Sequence, residues 1–314
     1  MHTDIDAFFI VGAPRCGTTA MSRYLKQHPN ICFSDPKETH FFSQADKAAD
    51  PKALGEKFLS AFFQDFSDDT TVIGEGSVST LYSSDAIQRI LRTFRSAKFI
   101  VMLRDPVDMV RSYHARLLHL KQEDEKDFQT AWDLQDSRRN GRCIPRRCVD
   151  PRILQYSEIG RLGHYSSQLV DLVGKDNCMP IFFEDFVGDT LSTYKDVLSF
   201  LDLPYDGRET FKKKNSMRTF KNGFFQSLYS GPLMRPVATQ LMKNPVRAAK
   251  IQRAMRPYRR KMRSMYSFEE PPPPLSPLFR QQLKRHFSED IEELGEIFGR
   301  NLVHWSDEGF AQPT

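Results

Sequence analysis

Residues 12–19 read GAPRCGTT and follow directly on the apolar run AFFIV at 7–11. Gly12 and Gly17 stand five apart with Thr18 and Thr19 behind them, the spacing of a phosphate-binding loop set between a strand and a helix. Such a turn aims several backbone N–H groups at one point, and the helix dipole behind it favours negative charge there. Nucleotide triphosphatases carry a lysine straight after the second glycine. Here that residue is Thr18, and the first basic residue is Arg15, in mid-loop. A planar guanidinium suits the oxygens of a phosphate or a sulfate, so the stretch implies a bound anion that does without the usual lysine.

Working outward, strand-length apolar runs alternate with helical periods. AFFIVG (7–12), TTVIGE (70–75), KFIVML (98–103) and CMPIFFE (178–184) read as strands. TTAMSRYLKQH (18–28), SDAIQRILRTF (84–94, with Ser84 or Asp85 as its cap) and EIGRLGHYSSQLVDLVG (158–174) read as helices between them. The alternation predicts an α/β fold, a three-layer sandwich of one parallel sheet with helices on both faces. Such sheets bind ligands beyond the carboxyl ends of their strands, where GAPRCGTT and RDPVD (104–108) both fall. One domain over 1–314 is expected, with a peripheral basic helical segment at about 220–270. Within that segment, residues 243–263 hold nine Lys or Arg and no acid. PPPP (271–274) then forms a stiff spacer ahead of an amphipathic terminal helix.

Two further clusters carry chemistry. In KFIVMLRDPVDMVRSYHARLL (98–118), Arg104 stands at a strand tip and Asp105-Pro106 opens a helix. Val107, Val110, His114, Leu117 and Leu118 share one face of that helix and Ser112 lies off it, so Arg104 and Ser112 can address one anion or can be plain surface residues. In DPKETHFF (35–42), Lys37, Glu38 and His40 crowd a turn that two phenylalanines pin to the core. A carboxylate beside an anion site is unfavourable unless it has work such as accepting a proton; a surface Lys-Glu pair ahead of a buried Phe-Phe is the plainer alternative.

Bulk properties set limits. With 39% hydrophobic and 27% charged residues the 314-residue chain has ordinary globular usage, and its net charge of +5 suits an anionic ligand without arguing for nucleic acid. MHTDIDAFFIVG shows no basic leader, and no stretch approaches the ~20 apolar residues of a membrane span. A cytoplasmic protein with no membrane span is the expectation. Five cysteines, an odd number, fit reduced thiols. Cys143 and Cys148 bracket CIPRRC without a set of metal ligands to complete them.

Taken together, AFFIVGAPRCGTTAMSRYLKQHP, KETHFF, GEGSVSTLY (74–82), KFIVMLRDPVDMVRSYHARL and the tail FGRNLVHW (298–305) resemble sulfotransferases that use 3′-phosphoadenosine 5′-phosphosulfate (PAPS), in the bacterial and heparan-type branch. The resemblance implies a P-loop-like fold, sulfuryl transfer to a hydroxyl or amine of a small-molecule or glycan acceptor, release of adenosine 3′,5′-bisphosphate (PAP), and no required metal. It also implies that Arg15, Cys16, Gly17, Thr18 and Thr19 hold the 5′-phosphosulfate and that Arg104 and Ser112 hold the 3′-phosphate. Arg218 or Lys221, from a late basic loop, is implied at the same phosphate, and Glu38 as general base. Most members have lysine where Arg15 stands, and arginine does not readily donate a proton; Lys37 is the substitute acid and His40 the next candidate base. A lysine common in that branch after the glutamate of GEGS is Gly76 here. The alternatives are a kinase or triphosphatase with a degenerate loop, and a non-catalytic protein whose basic segment binds anions. Against the first stand Thr18 and the lack of an evident acid at a strand end for magnesium.

Overall fold

The run AFFIV is apolar on both faces, and it becomes the central strand of a sheet covered on both sides. The structure, a computed structural model, describes residues 5–46, 48–212, 218–220, 244–269 and 273–306. Its main sheet has five strands: β1 (Asp6–Gly12), β2 (Ile31–Phe33), β3 (Val72–Glu75), β4 (Ala97–Leu103) and β5 (Cys178–Phe182). They lie in the order β2-β3-β1-β4-β5, and every pairing is parallel. The parallel α/β reading of the sequence is borne out. β2 is an addition, since three residues are too few to declare a period.

The chain divides into two compact units. The first comprises Met1–Arg104, Tyr165–Lys214 and Lys243–Arg253 and holds all five strands. Phe8, Phe9, Ile10 and Val11 are buried at 1% exposure or less, which accounts for their unbroken hydrophobicity. Phe42 packs edge-on against Phe9 and touches Phe58 and Phe94, so the phenylalanines of KETHFF do pin that turn to the core. The helix at Ser84–Thr93 is capped by Ser83, whose hydroxyl accepts from the Ala86 amide at 3.2 Å, and not by Ser84 or Asp85. Ser84 is drawn away, donating to Gln168 Oε1 at 3.2 Å.

The second unit comprises Asp105–His164, Asn215–Met242 and Ala254–Thr314. Asp105 caps the helix Pro106–His119 as expected, accepting from the Val107 amide at 2.8 Å. The single helix expected over 158–174 is two, Tyr156–Ile159 and Leu162–Val173. The break exposes amides of the second piece, and the Asp290 carboxylate takes them, from Gly163 at 2.8 Å and His164 at 2.9 Å. The terminal helix is likewise two, Pro277–His286 and Ser288–Phe298, parted at Phe287, whose ring is buried beside Trp132. At its heart this unit carries a buried bidentate pair, with Arg138 donating to both oxygens of Glu123 at 2.7 and 2.8 Å and the Tyr156 hydroxyl adding a third bond at 2.6 Å. The basic stretch forms a helix over Pro245–Tyr266. Pro271 and Pro272 of the proline run lie outside the described residues.

Candidate active site

The loop that decided the fold turns on two left-handed residues. Gly17, at φ +89°, ends it as the residue before the helix Thr18–Leu25, and Arg15 adopts φ +70° in the middle. Only glycine takes such a conformation without steric cost, and a Cβ at 17 would also press on the Phe186 ring at 3.1 Å. The helix has no side-chain cap and no acid in its first turn. Among its leading amides, that of Ala20 donates to the Gly17 carbonyl at 2.8 Å; those of Thr18 and Thr19, ahead of the first helical bond, keep their capacity for an anion. The Ala13 amide ties the loop to β4 through the Met102 carbonyl at 2.6 Å.

Within the loop the side chains divide. The Cys16 thiol is fully buried, and that burial pushes it up to about 12 despite the nearby Arg104 and Arg15 guanidinium groups. It is a core thiol, and the reactive thiolate is out of reach for it. Thr19 is exposed and Thr18 is buried. The Arg104 guanidinium lies over the Phe183 ring, 4.6 Å from its centroid.

The turn from Ser34 to His40 brings the second set of groups to the loop. Lys37 Nζ donates to Thr18 Oγ1 at 3.2 Å and to Glu38 Oε1 at 3.2 Å. One ammonium thereby joins the loop to the carboxylate. His40 stands on the other side of Glu38, Nε2 to Oε2 3.8 Å, and its Nδ1 is 2.8 Å from Ser79 Oγ. His40 itself is held at φ +50°, with its amide donating to Ser77 Oγ at 2.9 Å. A non-glycine residue persists in that region when its surroundings over-determine it, and such residues gather at functional sites.

Gly76 explains how Lys37 gets there. A Cβ at 76 would lie 2.9 Å from Lys37 Cε, so the lysine stem fills the place where a side chain from 76 would project. The backbones meet as well, through Gly76 N–H to Lys37 O at 3.2 Å. Against expectation, an acid does end a strand beside β1: Glu75 closes β3. Its carboxylate is engaged within the fold, accepting from the Thr39 amide at 2.9 Å, the Thr39 hydroxyl at 3.1 Å, the Ser77 amide at 2.9 Å and the Ser77 hydroxyl. Glu75 thus serves as the knot that fixes the Lys37–His40 turn.

Thr18, Lys37, Glu38 and His40, named from the sequence, are brought together in the first unit. Glu75, Ser77 and Ser79 were missed as its framework; Glu75 closes β3, Ser77 follows it and Ser79 lies in the short 3-10 turn Val78–Thr80, so no single period links them. Ser112 is in the second unit, buried on the helix Pro106–His119. Arg218 lies in the short strand Arg218–Phe220, antiparallel to Ser267–Glu269. Lys221 lies outside the described residues.

The model of the sulfotransferase domain family matches residues 5–229. Among curated proteins, the membrane-associated sulfotransferase kil1 of Dictyostelium discoideum is 26% identical across 40% of this chain and 26% of its own length. Carbohydrate sulfotransferase 15 of Homo sapiens is 30% identical across 33% of this chain and 26% of its own. The chain thus spans about a quarter of the length of the curated relatives it matches. Among solved structures, a sulfotransferase from Alicyclobacillus acidocaldarius superposes with a TM-score of 0.63 at 21% identity, over 96% of this chain and 99% of that one, a likeness of fold. Among the described residues no helix is long and apolar enough to cross a membrane.

Proposed function

The chain belongs to the sulfotransferase domain family, and from that premise we propose that it transfers a sulfuryl group from PAPS to a hydroxyl or amine of a small-molecule or glycan acceptor, releasing PAP. The observation that carries this reading is the Lys37 ammonium bridging Thr18 of the loop and Glu38, which joins an anion cradle to a proton acceptor. The uncapped, acid-free first turn of the Thr18–Leu25 helix fits the phosphate end of such a donor.

When bound, the donor supplies the sulfuryl group and a phosphate that leaves with added negative charge. On the protein's side, the amides at the head of the helix, Arg15 and the Thr18 hydroxyl stabilise that charge. Lys37, already donating to Thr18, is the group able to supply a proton there, since a guanidinium is not. Glu38 takes the proton of the acceptor group. The His40 ring, set by Ser79, stands beside Glu38 and keeps its far oxygen oriented. Little covalent work falls to the protein, so fixed donors and positioning dominate, as in phosphoryl transfer. Arg104, at the tip of β4, is proposed for the 3′-phosphate; Ser112, Arg218 and Lys221 carry that role by resemblance alone. The name of carbohydrate sulfotransferase 15 favours a glycan among the acceptors. A cytoplasmic location belongs to the same proposal.

A thermal-shift titration with PAP, run beside ATP plus magnesium, tests the reading. A ligand at 100 times its dissociation constant stabilises a protein by about 2.7 kcal/mol. A rise in Tm with PAP and none with ATP plus magnesium is expected. The reverse pattern would return the loop to the nucleotide triphosphatases.

A further inference from the structure

The basic stretch 243–263 has the composition of a solvated or anion-seeking face, yet one of its arginines turns inward. Arg253, on the helix Pro245–Tyr266, donates from Nη2 to the Asp35 carbonyl and, at 2.8 Å, to the Ala61 carbonyl. Its Nε lies 3.7 Å from Asp35 Oδ2, and both side chains are about four-fifths buried, at 19% and 20% exposure. A buried guanidinium is tolerated only when paired, and here its partners sit at the root of the Ser34–His40 turn. One turn earlier on the helix, Ala249 is buried at 1% exposure while Lys250 is exposed. The helix therefore docks by one face in this region, and all the residues concerned belong to the first unit.

The turn is anchored unevenly without this contact. On its far side Phe41 and Phe42 sit in the aromatic cluster, and Glu75 grips Thr39. On its near side the Asp35 amide donates to the Phe62 carbonyl at 2.8 Å, the Ser34 amide to the Gly74 carbonyl at 2.9 Å, and the Ser34 hydroxyl and the Gly76 amide both to the Lys37 carbonyl, at 3.1 and 3.2 Å. Arg253 closes that near side two residues before Lys37 and three before Glu38, from a point more than 200 residues later in the chain.

We propose that Arg253 is a positioning residue for the transfer reaction: it straps the Asp35 end of the turn to the sheet unit so that Lys37 and Glu38 keep their places against the loop. This rests on the sulfotransferase reading for its kinetic consequence, but not for its structural one. A misplacement of about 1 Å in a reacting group can cost about 100-fold in rate. Arg253→Ala is expected to lower kcat for sulfuryl transfer from PAPS by about 10- to 100-fold while the Kd for PAP, measured by calorimetry, changes by less than about threefold. Amide hydrogen exchange at residues 35–40 is expected to quicken in the same variant, with the amides of β1 and β4 unchanged. Arg253→Lys, which keeps one charged donor, is expected to recover part of both.

Wild-type kcat together with wild-type exchange at 35–40 in Arg253→Ala would overturn the proposal. So would faster exchange spread evenly over the sheet with a matching loss of PAP affinity, since that describes general loosening. If the wild-type protein transfers no sulfuryl group, the functional reading fails, while exchange at 35–40 still decides whether the strap exists.

Discussion

Glu38 has the Lys37 ammonium on one carboxylate oxygen and the His40 ring 3.8 Å from the other. With general-base help worth about 10²–10⁴-fold, Glu38→Gln is expected to reduce kcat by that factor, or roughly 3–5 kcal/mol, while PAP affinity barely changes. Steady-state rates set beside calorimetric PAP binding check it; a loss of tenfold or less would pass the base's role to His40. The residues of this cluster were legible because Lys37, Glu38 and His40 lie within four positions of one another, ahead of two phenylalanines that had to be buried. The hold on them was not legible. Ser79 and Glu75 reach the turn across some 40 residues of chain, and a hydroxyl or a buried carboxylate has no periodicity that announces its partner. The same holds for Gly76, whose missing side chain makes room for Lys37.

At the scale of elements, β1, β3, β4 and β5 announced themselves, because a strand covered on both faces has to be apolar throughout. Helix ends were harder. Ser83, Ser84 and Asp85 are all competent caps, and the choice fell to Ser83 because Gln168 engages the Ser84 hydroxyl. Losing an N-cap hydroxyl costs about 1 kcal/mol, so Ser83→Ala should lower stability by about that much in urea titration. Asp85→Ala removes an (i, i+4) pair, 3.8 Å long, between a half-exposed carboxylate and the buried Arg89 guanidinium, which keeps its bond to the Phe42 carbonyl at 2.9 Å, and should cost less than loss of the cap. An equal loss in the two variants would undo the capping assignment. The breaks at residues 160–161 and at Phe287 went unseen for a related reason. Helical periodicity runs straight through them, and what stabilises the interruption is Asp290 taking up the freed amides and Phe287 entering the core.

Across the molecule, the second unit should respond to acid through Glu123 and His114. Burial pushes the Glu123 carboxyl up, but the Tyr156 hydroxyl, the Arg138 guanidinium and the Glu125 amide outweigh it and leave it below its ordinary 4.5. A depressed carboxylate stabilises the fold above its unfolded pKa and loses that contribution as pH falls through the folded value. Burial likewise lowers His114 below 6.5, so folding favours its neutral form and stability declines as pH drops from about 6.5. Removing one partner of a buried ion pair costs about 3–5 kcal/mol. Glu123→Gln should therefore destabilise by about that at pH 7, and the gap to wild type should narrow below pH 4.5 as Glu123 itself takes a proton. Urea titrations at pH 7, 5.5 and 3.5 would show this, and a gap that stays constant would deny the pair its electrostatic role. Sequence alone determined the parallel α/β architecture, the glycine-rich turn after β1 and the crowding of Lys37, Glu38 and His40 ahead of a buried Phe-Phe, since each is a local pattern in which burial and backbone conformation restrict the residue types allowed. Tertiary structure alone decided that Lys37 bridges Thr18 and Glu38, that Glu75 is spent on holding the turn, and that Arg253 faces inward. Those outcomes depend on which distant groups satisfy one another's charges and hydrogen bonds, and composition carries no record of such pairings.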